Sequence, residues 1–403
     1  MTTELVRPRV QPARGLSRSG SFWFIGGIYA LFLMASTAPS PMYSIYQQRW
    51  GFTNTVLTEV FASYSVAILV ALLLCGSLSD HVGRRPVLVG ALVLEITAVL
   101  VLALAPGVGW LFAGRVLQGL ATGAATSAIS GALLDFQRPG SSQGSLVNGV
   151  AAALGMAGGS LLAGVLAQFL PGPTLTTFLL LAAGFAVAIP VVLAMPEPVA
   201  RTSPLREALR PRRPVVPAGQ GARFALMSTM VLASWTVGGM FMSLAPSVVK
   251  GMVHSYPSLI SGLPVAVLTG LGGLTQLLLS RWAATRAVRV GAGLMIASLA
   301  GVAAAEVAGD VDVFFLAAAL LGVGWGLMFM GAFRMLTGLA APHQRAGTSA
   351  MIYIVAYLSA TVPSVALGYL STVTDLRTAT LTFTAAAALF AALAALSTLR
   401  PRP

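Results

Sequence analysis

Charge is scarce in this 403-residue chain: only 9% of its residues are Asp, Glu, Lys or Arg, against roughly a quarter in a soluble domain. Water is therefore not the main solvent of the fold, and a soluble globular domain is excluded. The one cysteine, Cys75, lies in an apolar run, so no intramolecular disulfide can form and a small buried hydrophobe is its expected role. Lysine occurs once against 23 arginines, an association with GC-rich bacterial genomes. The three histidines, His81, His254 and His343, fall in or beside three different loops. They cannot form one metal cluster, which removes the ligand set a membrane metalloenzyme needs. The reading includes no metal, no cofactor and no catalytic residue.

What the chain has is apolar sequence, 57% of the residues. A membrane-crossing helix needs roughly 20 mostly apolar residues, and runs of that kind occupy 22–46, 55–78, 86–104, 110–134, 146–169, 175–195, 223–248, 258–280, 287–305, 313–334, 347–370 and 377–398. These twelve spans predict an all-α integral membrane protein. The first run is too long for a signal-peptide core and no small-residue cleavage site follows it, so it is read as a retained span. Its length predicts tilt or a re-entrant end.

A net charge of +13 raises the possibility of a nucleic-acid partner, and the positions of the charges decide against it. Segments 1–21, 79–85, 135–145, 196–223, 281–289, 335–346 and 399–403 hold 19 of the 24 basic residues, while the opposite-side loops hold Arg49, Lys250 and Arg377. Arg115 and Arg334 lie within spans. This alternation is the positive-inside pattern; it predicts a multi-pass protein in the bacterial inner membrane with both termini cytoplasmic.

The longest hydrophilic stretch between spans, 196–222, is rich in proline and arginine and divides the chain six and six. The expected units are a tail at 1–21, a bundle at 22–195, a cytoplasmic loop at 196–222, a second bundle at 223–398 and a tail at 399–403. An internal repeat supports the division: Gly119, Gly123, Pro139 and Gly144 recur as Gly322, Gly326, Pro342 and Gly347, all 203 residues later. Ala38-Pro39-Ser40 in span 1 also echoes Ala245-Pro246-Ser247 in span 7. Parallel repeats of this kind build transporters whose site lies between two halves.

Two motifs carry chemistry. Between spans 2 and 3 the chain reads Gly76-Ser-Leu-Ser-Asp80-His-Val-Gly83-Arg84-Arg85. Gly76 permits close helix approach and Gly83 a tight turn, with Asp80 at a helix end and the arginines at the interface; an ordinary basic turn is the alternative. In span 4 the chain reads Leu111-Phe-Ala-Gly-Arg115-Val-Leu-Gln118-Gly119. Arg115, Gln118, Thr122 and Thr126 share one helix face, and an arginine in an apolar span costs about 2.5–3.5 kcal/mol on insertion scales. The alternative for Arg115 is snorkelling to the nearby outer end.

The first motif resembles, at every principal position, the G-x-L-x-D-x-x-G-R-R/K loop of the major facilitator superfamily, and the second is similar to its L-x-x-x-R-x-x-Q-G motif. The resemblance of topology runs over the whole chain and implies two pseudo-symmetric six-helix bundles working by alternating access on a small-molecule substrate, commonly as a monomer in the lipid bilayer. It also implies that Asp80 and Arg84, with Gly76, Gly83 and Arg85 of the same motif, form a conformational latch with the acidic residue at the end of span 4, here Asp135. The helix 5 motif of drug antiporters, G-x-x-x-G-P-x-x-G-G, is matched only at Gly158 and Gly159; Val150, Leu154 and Gly155 stand at its other positions.

Proton coupling needs a titratable group that changes charge as the halves move. Glu95, at the middle of span 3, and Glu59, near the outer end of span 2, are the candidates. A neutral, buried acid is the alternative for the first and an interfacial carboxylate for the second. The family's cavity is lined by helices 1, 4, 7 and 10, which directs attention to Thr37, Tyr43, Gln118, Thr122, Trp235, Trp325 and Phe329. A cavity with few charges fits amphipathic or lipophilic cargo, so proton-coupled efflux of a drug or metabolite is expected. Uptake of a small nutrient with protons is the alternative. A third reading, a non-transporting sensor or scaffold, predicts a soluble signalling extension, whereas about five residues follow span 12.

Overall fold

The computed structural model describes residues 15–138, 140–141, 143–199, 214–253, 258–341 and 344–398, and among them every regular element is helical. His254, His343, Pro139, Pro342 and most of the loop expected at 196–222 lie outside the described residues.

The long first run is two helices, α1 (Arg18–Thr37) and α2 (Pro39–Trp50), broken at Ala38. Then follow α3 (Asn54–Cys75), α4 (Leu78–Val82), α5 (Arg84–Ala103), α6 (Val108–Phe136), α7 (Gln143–Phe169) and α8 (Pro173–Ala194). The second half contains α9 (Gly221–Ser243), α10 (Ala245–Met252), α11 (Ser258–Leu278), α12 (Ala284–Ala308), α13 (Val311–Thr337), α14 (Arg345–Val373) and α15 (Leu376–Ser397). Spans 1 and 7 are thus the broken pairs α1/α2 and α9/α10, and each other span is one long helix. Eleven spans are long and apolar enough to cross a membrane by composition alone. The twelfth, α6, has 29 residues and is diluted by Arg115, Gln118 and small residues.

The halves repeat one packing plan. In the first, α5 packs on α6, α3 on α6, α1 on α7 and α5 on α8; in the second, α12 packs on α13, α11 on α13, α9 on α14 and α12 on α15. These are the same pairs of spans. Lipid is as apolar as leucine, so close van der Waals contact rather than hydrophobic burial must hold such helices together. The repeated glycines supply it. A Cβ on Gly123 would lie 2.9 Å from the Ile68 carbonyl and one on Gly119 would overlap the Tyr64 carbonyl; a Cβ on Gly322 would lie 2.7 Å from the Leu268 carbonyl and one on Gly326 would overlap that of Gly272. Span 4 therefore meets span 2 as span 10 meets span 8.

Prolines create the other structural demand. A proline leaves the carbonyl four residues earlier without its helical donor, and in hydrocarbon that group must be satisfied by a neighbour. Pro39 frees the Ala35 carbonyl, which accepts from Gln118 Nε2 at 2.9 Å. Pro246 frees that of Met242, which accepts from Ser40 Oγ at 2.7 Å. Pro363 frees that of Ser359, which accepts from Thr236 Oγ1 at 3.0 Å.

Between the halves, α7 packs on α11 and α3 on α14. Large apolar side chains such as Val187, Leu193, Leu316 and Val362 point outward, as a lipid-facing surface requires.

Candidate functional site

The loop motif folds around Arg84. Gly83 has φ +106°, a conformation side chains rarely adopt, and turns the chain from α4 into α5. The Arg84 guanidinium then binds Asp80 Oδ1 at 2.5 Å, Asp135 Oδ2 at 3.0 Å and Ser79 Oγ at 2.7 Å. It lies against Gly131 of α6, where a Cβ would come within 2.5 Å of its Cζ. Gly76 is the C-cap of α3. Arg85 leaves the cluster: its side chain donates to the Leu193 carbonyl.

Glu197 joins this group and was missed from sequence. Its carboxylate accepts from the backbone N–H groups of Arg84 and Arg85, both at 2.8 Å. These are free donors at the N-terminus of α5, where the helix dipole also favours an anion. The signal available was an acid immediately after span 6, between Pro196 and Pro198.

A second polar cluster is wholly buried inside the first half. Glu95, Arg115 and Gln118 are each at most 1% exposed. Gln118 bridges the two charges: its Nε2 donates to Glu95 Oε1 at 3.0 Å, and its Oε1 accepts from Arg115 Nη1 at 2.5 Å. Arg115 also donates to the Ser36 carbonyl at 2.9 Å and stacks over Tyr64, 4.0 Å from the ring centroid. Helix rise separates Glu95 and Arg115 along the membrane normal, and the amide spans that separation. Arg115 turns inward, not to the interface. Glu59 is exposed on α3 and takes no part in this cluster.

Between the halves lies a cavity of about 110 Å³. It sits midway along its helices, with Tyr64 and Ser65 at the centre of α3 and Trp235 to Met242 at the centre of the α9/α10 pair. Of the residues singled out from sequence, Thr37, Trp235, Trp325 and Phe329 line it. Tyr43, Gln118 and Thr122 do not, and these expectations are corrected: all three are buried behind the wall. The glycine contacts of α6 press it against α3, so Phe61 and Tyr64 stand between α6 and the cavity. The wall also contains residues not expected from sequence: Tyr29 lies within span 1, and the others lie on spans 2, 5, 8 and 11, outside the four spans to which the expectation was confined. Tyr29, Tyr64, Tyr353 and Tyr357 supply hydroxyl-bearing rings, and Asn148 and Gln276 bring amides from α7 and α11. An isolated amide in an otherwise apolar span was the available signal.

A vestibule of about 590 Å³ shares Asn148, Gly149, Gln276, Phe329 and Tyr353 with the cavity. Its outer rim, Leu134, Gly144, Arg334 and Thr337, belongs to the helix ends on the face of the Arg84 cluster, the basic face. On the opposite side the halves are tied together by Ser40 to Met242, by Thr55 Oγ1 to the Gly368 carbonyl at 3.2 Å and by Ser160 Oγ to the Gly262 carbonyl at 2.9 Å. The cavity therefore opens to the basic face and is closed at the other. At the degraded helix 5 motif, Gly155 and Gly159 serve packing: a Cβ on either would overlap α1 backbone, at Ala30 and Met34.

Comparison with known proteins matches residues 25–364 to the model of the Major Facilitator Superfamily. Citrate exporter 1 of Aspergillus niger is 32% identical over 124 residues, 30% of this chain and 23% of that protein. The inner membrane transport protein YajR of Escherichia coli K12 is 26% identical over 117 residues, 29% of this chain and 25% of that protein. The chain's matches thus span about a quarter of the length of these curated relatives. Among solved structures, a bacterial homologue of the human lysosomal transporter Spinster aligns with TM-score 0.75 at 16% identity, covering 96% of this chain and 99% of that one. The nucleoside transporter NupG aligns with TM-score 0.73 at 12% identity, covering 94% and 100%.

Proposed function

The chain belongs to the major facilitator superfamily, a multi-pass membrane transporter rather than an enzyme, and we propose that it is a proton-coupled exporter of a small amphipathic drug or metabolite. In this reading the bundles 22–195 and 223–398 rock about the central cavity, as a monomer in a bacterial inner membrane with both termini in the cytoplasm.

The observation that carries the reading is the wall of the cavity. Its described lining holds no Asp, Glu, Lys or Arg, and it is continuous with the basic face, which the positive-inside pattern assigns to the cytoplasm. Cargo that is mostly apolar can enter such a site without losing strong hydration, whereas an ionic nutrient would find no counter-charge. The exporter among the relatives handles citrate by name; a tricarboxylate would need cations, and this wall has none among its described residues. Glu95 is the group we assign to coupling, because it is a buried acid tied through Gln118 and Arg115 to Tyr64 of the cavity wall. Asp80, Arg84 and Asp135, with Glu197 at the same helix end, are assigned to the latch.

Inverted membrane vesicles with an imposed acid interior test this. Gradient-dependent accumulation of an amphipathic compound supports export. Gradient-driven loss of preloaded compound supports uptake instead, and no flux across a broad panel would overturn transport of such cargo in either direction.

A further inference from the structure

Five aromatic side chains form a closed circuit on the second half's side of the cavity. Trp235 on α9 contacts Phe329 on α13 at a centroid distance of 5.6 Å, Phe329 contacts Phe333 at 6.0 Å, and Phe333 contacts Tyr353 on α14 at 6.1 Å. Tyr353 then contacts Tyr357 at 6.5 Å, and Tyr357 returns to Trp235 at 4.9 Å. Tyr29, Phe61 and Tyr64 face them from the first half. The site is therefore a slot with aromatic surfaces on both sides, a shape that stacks a flat ring.

The electrostatics limit what that ring can carry. A cation would meet aromatic faces, but no carboxylate lies on the described wall, and the acid behind it, Glu95, is fully buried with one oxygen accepting from Gln118. The Arg115 guanidinium sits directly behind Tyr64 and repels a positive ligand. An anion fares no better: Arg115 is fully buried and holds Ser36 and Gln118, while Arg334 in the vestibule donates to the carbonyls of Trp282 and Ser280 at 3.3 and 2.8 Å. Either ion would lose its hydration without replacement.

On the described wall one buried side-chain donor is left without a partner. The Trp325 indole N–H is used by the Ser234 carbonyl at 2.8 Å, whereas Trp235, whose ring lines the cavity, has its Nε1 buried without a partner. A buried indole N–H needs an acceptor. We infer that the cavity binds a neutral, planar aromatic molecule carrying a carbonyl-type acceptor, stacked in the aromatic slot with its acceptor on Trp235 Nε1. The inference rests on the cavity being the substrate site of the exporter proposed above, and it names that substrate's class.

Calorimetric titration of the full-length protein in lipid nanodiscs with 2-naphthamide, 2-naphthoate and N-methylquinolinium, three probes of similar shape and different charge, tests it. The amide is expected to bind saturably, and both ions at least about tenfold more weakly because their desolvation is uncompensated. Trp235→Phe, which keeps a ring and removes the N–H, is expected to weaken the amide about three- to tenfold more than it weakens naphthalene, the scale of one net hydrogen bond. Trp235→Leu is expected to weaken both. Absence of saturable amide binding, an ion binding as tightly as the amide, or a Trp235→Phe effect on the amide no larger than on naphthalene would each overturn the inference. The probe comparison uses the unaltered protein, so it stands even where a variant fails to fold. Equilibrium binding needs no gradient; a mistaken direction or coupling leaves it untouched, and gradient-driven flux without this preference removes the inference alone.

Discussion

Ser40 Oγ donates to the carbonyl of Met242 at 2.7 Å, the one carbonyl that Pro246 deprives of its helical partner. A proline break in span 7 of one half is thus completed by a side chain beside the matching proline break in span 1 of the other. The bond lies on the closed side of the cavity, so it exists only while the halves meet there. Ser40→Ala should favour opening of that side by about 1 kcal/mol, the net worth of one such bond, or roughly a fivefold shift in population. Spin labels across the closed side, on a Cys75→Ala background, should report a longer-distance population. An unchanged distance distribution would contradict the assignment of Ser40 to the seal.

Glu95→Gln keeps the size of the side chain and a carbonyl oxygen for Gln118, and removes the ability to change charge. Proton-driven flux should fall to background, while exchange of labelled for unlabelled substrate, which requires no net proton movement, should persist. Unaltered proton-driven flux in this variant would rule Glu95 out.

Arg84→Ala leaves Asp80 and Asp135 facing each other without their shared cation. The two carboxylates are about a third exposed, so solvent screens much of the repulsion and the expected destabilisation is only roughly 1–2 kcal/mol. Arg84→Lys should not fully restore it, because an ammonium cannot present the planar fork that reaches both acids. A double-mutant cycle with Asp135→Asn, read by thermal unfolding, should show positive coupling; strict additivity would mean that the pair contributes nothing.

Gly159→Ala places a methyl group on the Met34 carbonyl of α1 and should cost about 1–3 kcal/mol through forced separation of α7 and α1. Gly90→Ala is the control, since nothing lies within 4 Å of its added Cβ; its effect should stay within about 0.5 kcal/mol. Thermal unfolding of the detergent-solubilised variants distinguishes the two. Equal melting temperatures would show that the α1–α7 contact yields easily.

The loop from Gly76 to Arg85 was readable because its chemistry is local: the acid, the glycine turn and the arginines lie within ten residues. Glu197, which caps the same helix, was not, being more than a hundred residues away. Gln118 was readable as polar and on the face of Arg115, but not as the bridge to Glu95, because that depends on the relative height of α5 and α6. Its assignment to the cavity failed for a related reason. Periodicity shows which residues share a face and does not show which neighbour covers that face.

By itself the sequence determined the solvent, the number of crossings and the repeat. Hydrocarbon admits only long apolar helices whose own backbone bonds are complete, and positive charge resists translocation; both constraints act residue by residue along the chain. Only the tertiary structure decided which side of the cavity is closed, that α6 stands behind α3, and that rings from three helices of one half form a single circuit. Those facts depend on how glycine contacts set helix against helix, and a distance between two helices is written in neither of them alone.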